Sequence, residues 1–83
     1  MSGEFPPLTC KDVKAILAYL GFVARPRKGT SHEQWVKVEN GRLYKVTVDY
    51  PKAPFSQTLI KSMAEQAGVK KKDFYRIFKQ LMA

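Results

Sequence analysis

The residues best equipped for chemistry fall in one stretch, Arg25-Pro-Arg-Lys-Gly-Thr-Ser-His-Glu-Gln-Trp35. Arg25, Arg27 and Lys28 precede Gly29, the hydroxyls of Thr30 and Ser31, and His32, the one histidine of the sequence. The cations would neutralise a phosphate group, and the glycine would let backbone N–H groups approach it. A histidine beside a bound phosphodiester can exchange protons with a ribose 2′-hydroxyl or a leaving 5′-oxygen near neutral pH. The same spacing also fits a histidine that merely opens a strand and faces water. Elsewhere the signals are thinner. Asp49 would either orient the imidazole across a hairpin or sit solvated at a strand end. Cys10 lies near a helix N-terminus, where a thiolate is stabilised, but a small half-buried cysteine fits as well. Lys70, Lys71, Lys72, Arg76 and Lys79 would track phosphates or simply form a solvated helix face.

The whole chain frames this stretch. Its 83 residues make one domain, spanning 1–83, in which residues 1–7 fit no element and read as a poorly ordered tail. Fifteen Lys and Arg against seven Asp and Glu leave a formal charge of +8, which implies an anionic partner: nucleic acid, an acidic protein or an anionic membrane surface. One Cys and one His make neither a disulfide nor a structural zinc site, and the absence of a carboxylate cluster argues against a two-metal nuclease. No cofactor is expected. The longest apolar run, Ala15 to Ala24, is ten residues with Gly21 inside it, too short to span a bilayer. No secretion signal is visible at the N-terminus, so the cytoplasm is the expected compartment.

Local rules then place the elements. Val13, Ile16, Leu17 and Leu20 share one face of a helix over Thr9–Leu20, with Thr9 and Asp12 as a capping box, Leu8 and Val13 as a staple, and Gly21 as the stop. A strand is expected over Phe22–Arg27, ending or lying at an edge because of Pro26. His32–Glu39 and Arg42–Tyr50 make a hairpin about Asn40-Gly41, a preferred type I′ pair. A two-residue turn puts Glu39 opposite Arg42, Trp35 opposite Val46, Glu33 opposite Val48 and His32 opposite Asp49. Tyr44, Val46, Val48, Tyr50 and Trp35 should then face the core, leaving His32, Gln34, Lys45, Thr47 and Asp49 on the open face. A second helix runs from a Ser56 cap to about Ala67, with Phe55 and Ile60 as a staple and Gly68 as the stop. A third runs from Lys71 to Met82, burying Phe74, Ile77, Phe78 and Leu81. The expected fold is α+β, in the order α-β-β-β-α with an additional C-terminal helix and the helices on one face of an antiparallel sheet.

Gly21-Phe22, the block Arg27-Lys28-Gly29-Thr30-Ser31-His32-x-x-Trp35, Gly41-Arg42, Val46-Thr47-Val48, and Glu65-Gln66-Ala67-Gly68-Val69 with Phe74 together resemble the HicA toxins of bacterial toxin–antitoxin operons. The resemblance covers roughly residues 9 to 75. It implies a double-stranded-RNA-binding-domain-like fold, a metal-independent endoribonuclease acting on mRNA, His32 as the catalytic residue, and a HicB-type antitoxin that covers the active face. Many members carry a second histidine after the third strand; here Asp49-Tyr50-Pro51-Lys52-Ala53-Pro54 has none, so the second proton-transfer group is unassigned. Thr30 also departs from the commoner Gly-Ser-His spacing. On this reading Arg25, Arg27, Lys28, Gly29, Thr30, Ser31 and Lys45 hold RNA phosphate, with no membrane or small-molecule partner. A non-catalytic RNA-binding module of the same fold is the alternative, and an adaptor for an acidic protein is a second.

Overall fold

The computed structural model describes residues 6–25 and 32–82. Thr9 opens helix α1 (Cys10–Tyr19) through a reciprocal cap: its Oγ1 accepts from the Asp12 N–H at 3.1 Å, and Asp12 Oδ2 accepts from the Thr9 N–H at 3.0 Å. Two of the helix's orphan donors are satisfied this way. At its other end Gly21 adopts φ +97°, and the Gly21 and Phe22 amides return to the Ala18 and Leu17 carbonyls. This is the 5→2 and 6→1 bonding of a Schellman stop.

That turn drives Phe22 into the core. Strand β1 (Val23–Ala24) consequently begins one residue later than the expected Phe22 start of Phe22–Arg27. Arg25 adds one further bond, its N–H donating to the Gln34 carbonyl at 2.8 Å, while Pro26 and Arg27 lie outside the described residues. Strands β2 (His32–Glu39) and β3 (Arg42–Asp49) follow, and the antiparallel sheet has the order β1-β2-β3. Asn40 at φ +53° and Gly41 at φ +75° form the turn between β2 and β3, and the register is the one the two-residue turn requires, from Glu39↔Arg42 to His32↔Asp49. Tyr50 leaves the sheet and begins a 3₁₀ turn (Tyr50–Lys52), where the expected strand had included it. Pro51 has no N–H to continue the ladder.

Ser56 caps helix α2 (Gln57–Gln66), its Oγ accepting from the Leu59 N–H at 3.3 Å. Gly68 and Val69 close it as Gly21 and Phe22 close α1, with amides returning to Glu65 and Ala64. Helix α3 (Lys71–Met82) completes the α-β-β-β-α layout of double-stranded-RNA-binding domains with an added C-terminal helix. All three helices contribute to one core, where Leu8, Ile16, Leu17, Ile60 and Phe74 meet the inward Val46 and Val48. Trp35, Tyr44 and Tyr50 pack against it half-buried.

One expectation for α3 is corrected. Leu81 is exposed and Phe78 only partly covered, whereas Tyr75 is buried. The last turn of α3 runs past the core. Tyr75 is held by long-range partners: its hydroxyl donates to the Pro6 carbonyl at 2.6 Å and accepts from Gln57 Nε2 at 2.9 Å. Burial pushes its phenol pKa up, so it remains a neutral donor.

Gly68 is a point where the packing can be tested. It sits at φ +80°, and a Cβ there would lie 2.6 Å from Tyr44 Cε2, while a Cβ at Gly41 meets nothing within 4 Å. Gly41→Ala should therefore cost only the left-handed backbone penalty, about 1 kcal/mol. Gly68→Ala adds a displaced ring and should cost about 2 kcal/mol or more. Thermal unfolding of the two variants side by side checks the difference.

Candidate active site

The two faces of the sheet separate the chemistry from the core. Hairpin parity sends Glu33, Trp35, Val46 and Val48 inward and His32, Gln34, Lys45, Thr47 and Asp49 outward, as the register requires. His32 is the first residue of β2, and its side chain is 52 % exposed. Asp49 ends β3 directly opposite, and His32 Nε2 lies 3.3 Å from Asp49 Oδ2. A carboxylate at this distance orients the imidazole through one of its nitrogens, while half of the side chain stays open to solvent. Next along the same face, Thr47 Oγ1 donates to Gln34 Oε1 at 3.0 Å.

The expected phosphate ligands divide into three groups. Arg25 continues the β1–β2 register opposite Gln34, on the His32 face and about 7 Å along β2 from it. Lys45 shares that face but stands four residues from Asp49 along β3, about 13 Å away. The structure thus brings Arg25 near His32 and does not bring Lys45 there. Arg27, Lys28, Gly29, Thr30 and Ser31 lie outside the described residues.

Glu33 is the feature sequence reasoning missed. It faces inward beneath His32, with its side chain only 14 % exposed. Its Oε1 accepts from the Tyr50 hydroxyl at 2.6 Å and from Trp35 Nε1 at 2.9 Å, and it lies 3.8 Å from Lys14 Nζ. Lys14 also sits over the Tyr50 ring, 4.6 Å from its centroid. The Tyr50 hydroxyl first, and the Glu33 carboxylate behind it, raise the Lys14 pKa and keep the ammonium charged. These contacts tie α1, β2 and the start of the 3₁₀ turn together directly under the His32–Asp49 pair. The available signal was an acidic residue placed by register opposite Val48, on a face that cannot leave a carboxylate unpaired.

Cys10 joins the same end of the molecule, half-buried near the Tyr50 carbonyl. Burial raises its thiol pKa, so the helix N-terminus does not produce a thiolate here. Among the described residues no three His, Cys, Asp or Glu side chains converge, and no helix is long and apolar enough to cross a membrane.

Over residues 10–69 the chain matches the protein family described as the HicA toxin of bacterial toxin–antitoxin systems. The matched span runs from the first residue of α1 to the close of α2 and includes both His32 and Asp49. No curated protein and no solved structure shows a significant match.

Proposed function

The chain belongs to the HicA family, the toxins of bacterial toxin–antitoxin systems, and from that premise we propose that it is a cytoplasmic, metal-independent endoribonuclease acting on mRNA, held inactive by a HicB-type antitoxin. The observation that carries this reading is the His32–Asp49 pair, 3.3 Å apart on the open face of the sheet with Arg25 on the same face. In the proposed reaction the ribose 2′-oxygen attacks the adjacent phosphorus and the bond to the 5′-oxygen breaks. One proton leaves the 2′-hydroxyl and one reaches the departing 5′-oxygen, giving a 2′,3′-cyclic phosphate and a 5′-hydroxyl. His32 serves as the base or the acid in these transfers. Arg25, with Arg27, Lys28 and the Gly29–Ser31 segment, holds the phosphate and offsets the charge that builds on its oxygens.

Asp49 acts in this reading as a positioning residue for the imidazole. A hydrogen bond to a charged group is worth about 1.5–3 kcal/mol, less where half-exposed, so Asp49→Asn should lower kcat about tenfold. KM should hold, because substrate contacts are untouched, and Asp49→Glu should restore part of the rate. A rise in KM alone would place Asp49 in substrate binding instead.

The chemistry also has a direct test in the products. Cleavage should persist in EDTA, and the 3′ ends should carry cyclic or monoester phosphate. Loss of cleavage on chelation, restored by magnesium, would replace the histidine mechanism with a metal-assisted one.

A further inference from the structure

The open face of the sheet changes character along its length. At one end stand His32 and Asp49. At the hairpin end of the same face Val23 pairs with Val36 and Val38 pairs with Leu43, so four branched aliphatic side chains are neighbours across three strands. Val23 is 63 %, Val38 70 % and Leu43 56 % exposed. Among the described residues no helix covers them, because α1, α2 and α3 pack on the opposite face. A contiguous aliphatic patch left on an open sheet marks an interaction site.

We propose that this patch anchors an acidic protein, the antitoxin of the pair, and that binding there carries the partner across the site at His32. The proposal rests on the toxin–antitoxin reading above and adds where the affinity resides. RNA is a poor occupant, since branched aliphatic side chains offer neither an aromatic face for a base nor a donor for a phosphate. A second copy is also disfavoured. Lys45, opposite Val36, and Arg25, one residue beyond Ala24, border the patch, and apposing two chains of charge +8 through it would bring like charges together. An apolar centre rimmed by carboxylates complements both features.

The geometry explains inhibition without direct contact between anchor and chemistry. Val38 is six residues from His32 along β2, about 20 Å. An ordinary interface covers about 800 Å² on each side, a disc roughly 30 Å across. A partner of that footprint centred between the patch and His32 therefore covers both on the same face. Affinity and catalysis are then separable by mutation.

The test uses the full chain and the protein encoded by the adjacent reading frame, each purified. Val38→Thr combined with Leu43→Thr keeps β-compatible, polar side chains at exposed positions, and circular dichroism confirms the fold. The double variant should bind that protein at least tenfold more weakly, chiefly through faster dissociation. RNA cleavage by the free variant should match the wild type, and more of the partner should be needed to inhibit it. Equal affinity for variant and wild type, or no binding to the wild type, overturns the proposal. So does weakened RNA binding with partner affinity unchanged, which would make the patch an RNA surface. A wild-type dimer in sedimentation that the double variant dissolves would overturn it in favour of self-association. If the wild-type chain binds the partner through the patch yet cleaves no RNA, the anchoring site stands and the nuclease reading falls.

Discussion

Replacing His32 with alanine is expected to reduce RNA cleavage at least a hundredfold while the melting temperature moves by only a few degrees. Proton transfer by a positioned side chain contributes about 10²–10⁴ in rate, and the sequence contains no second histidine to take over. The structural cost is small because His32 begins a strand, is half-exposed, and faces away from the core. Exposed substitutions of this kind change stability by about 0.5 kcal/mol, and with loss of the half-exposed pair to Asp49 the total stays below about 1 kcal/mol. In a domain of this size 1 kcal/mol shifts the melting temperature by roughly 4–8 °C. Induced expression supplies the cellular readout: the variant should not arrest growth. An alanine variant that cleaves at the wild-type rate removes His32 from the mechanism, and the non-catalytic RNA-binding module becomes the better reading.

Trp35→Ala should do the reverse, damaging the fold and sparing the chemistry. Trp35 sits on the inner face of β2, between Ala24 of β1 and Val46 of β3, and its Nε1 donates to Glu33. Truncation opens a cavity beside the sheet and withdraws one donor from a carboxylate that is largely shielded from water. Loss of a core Trp costs about 3–5 kcal/mol; partial burial puts Trp35 near the lower end, about 3 kcal/mol. Total stability for a chain of this length is about 4–12 kcal/mol. The melting temperature should therefore fall by more than about 10 °C. Below that transition the folded variant should keep its kcat, because Trp35 and His32 point to opposite faces. Trp35→Phe should recover much of the packing without the bond to Glu33, apportioning the loss. An unchanged melting temperature in Trp35→Ala would mean that the inner face does not depend on it.

The pair of variants works as a test because the two residues, three apart on one strand, have opposite parity, and that parity is legible in the amino-acid sequence. Asn40-Gly41 admits positive φ at both turn positions, which sets a two-residue loop, and counting back along a ladder of period two then pairs His32 with Asp49. The Thr9–Asp12 box and the stops at Gly21 and Gly68 are legible for the same reason: each is decided by hydrogen bonds spanning three to five residues. Composition adds the net charge of +8.

What only the tertiary structure decided involves partners far apart in the chain. Glu33 could be placed on the inner face, but its shielding depends on Lys14 from α1 and Tyr50 from beyond β3. Tyr75 is buried because Pro6, 69 residues away, and Gln57 of α2 satisfy its hydroxyl, while Leu81, on the expected stripe, projects past the end of the core. β1 begins at Val23 and not at Phe22 because Phe22 is drawn into a core that α2 and α3 help to build. The aliphatic patch at the hairpin end obeys the same division. Alternation places Val36, Val38 and Leu43 on one face, but whether a helix covers that face depends on how all three helices share the other one. Short-range hydrogen bonding and strand parity are properties of neighbouring residues and can be counted; burial is a property of the whole packing and cannot.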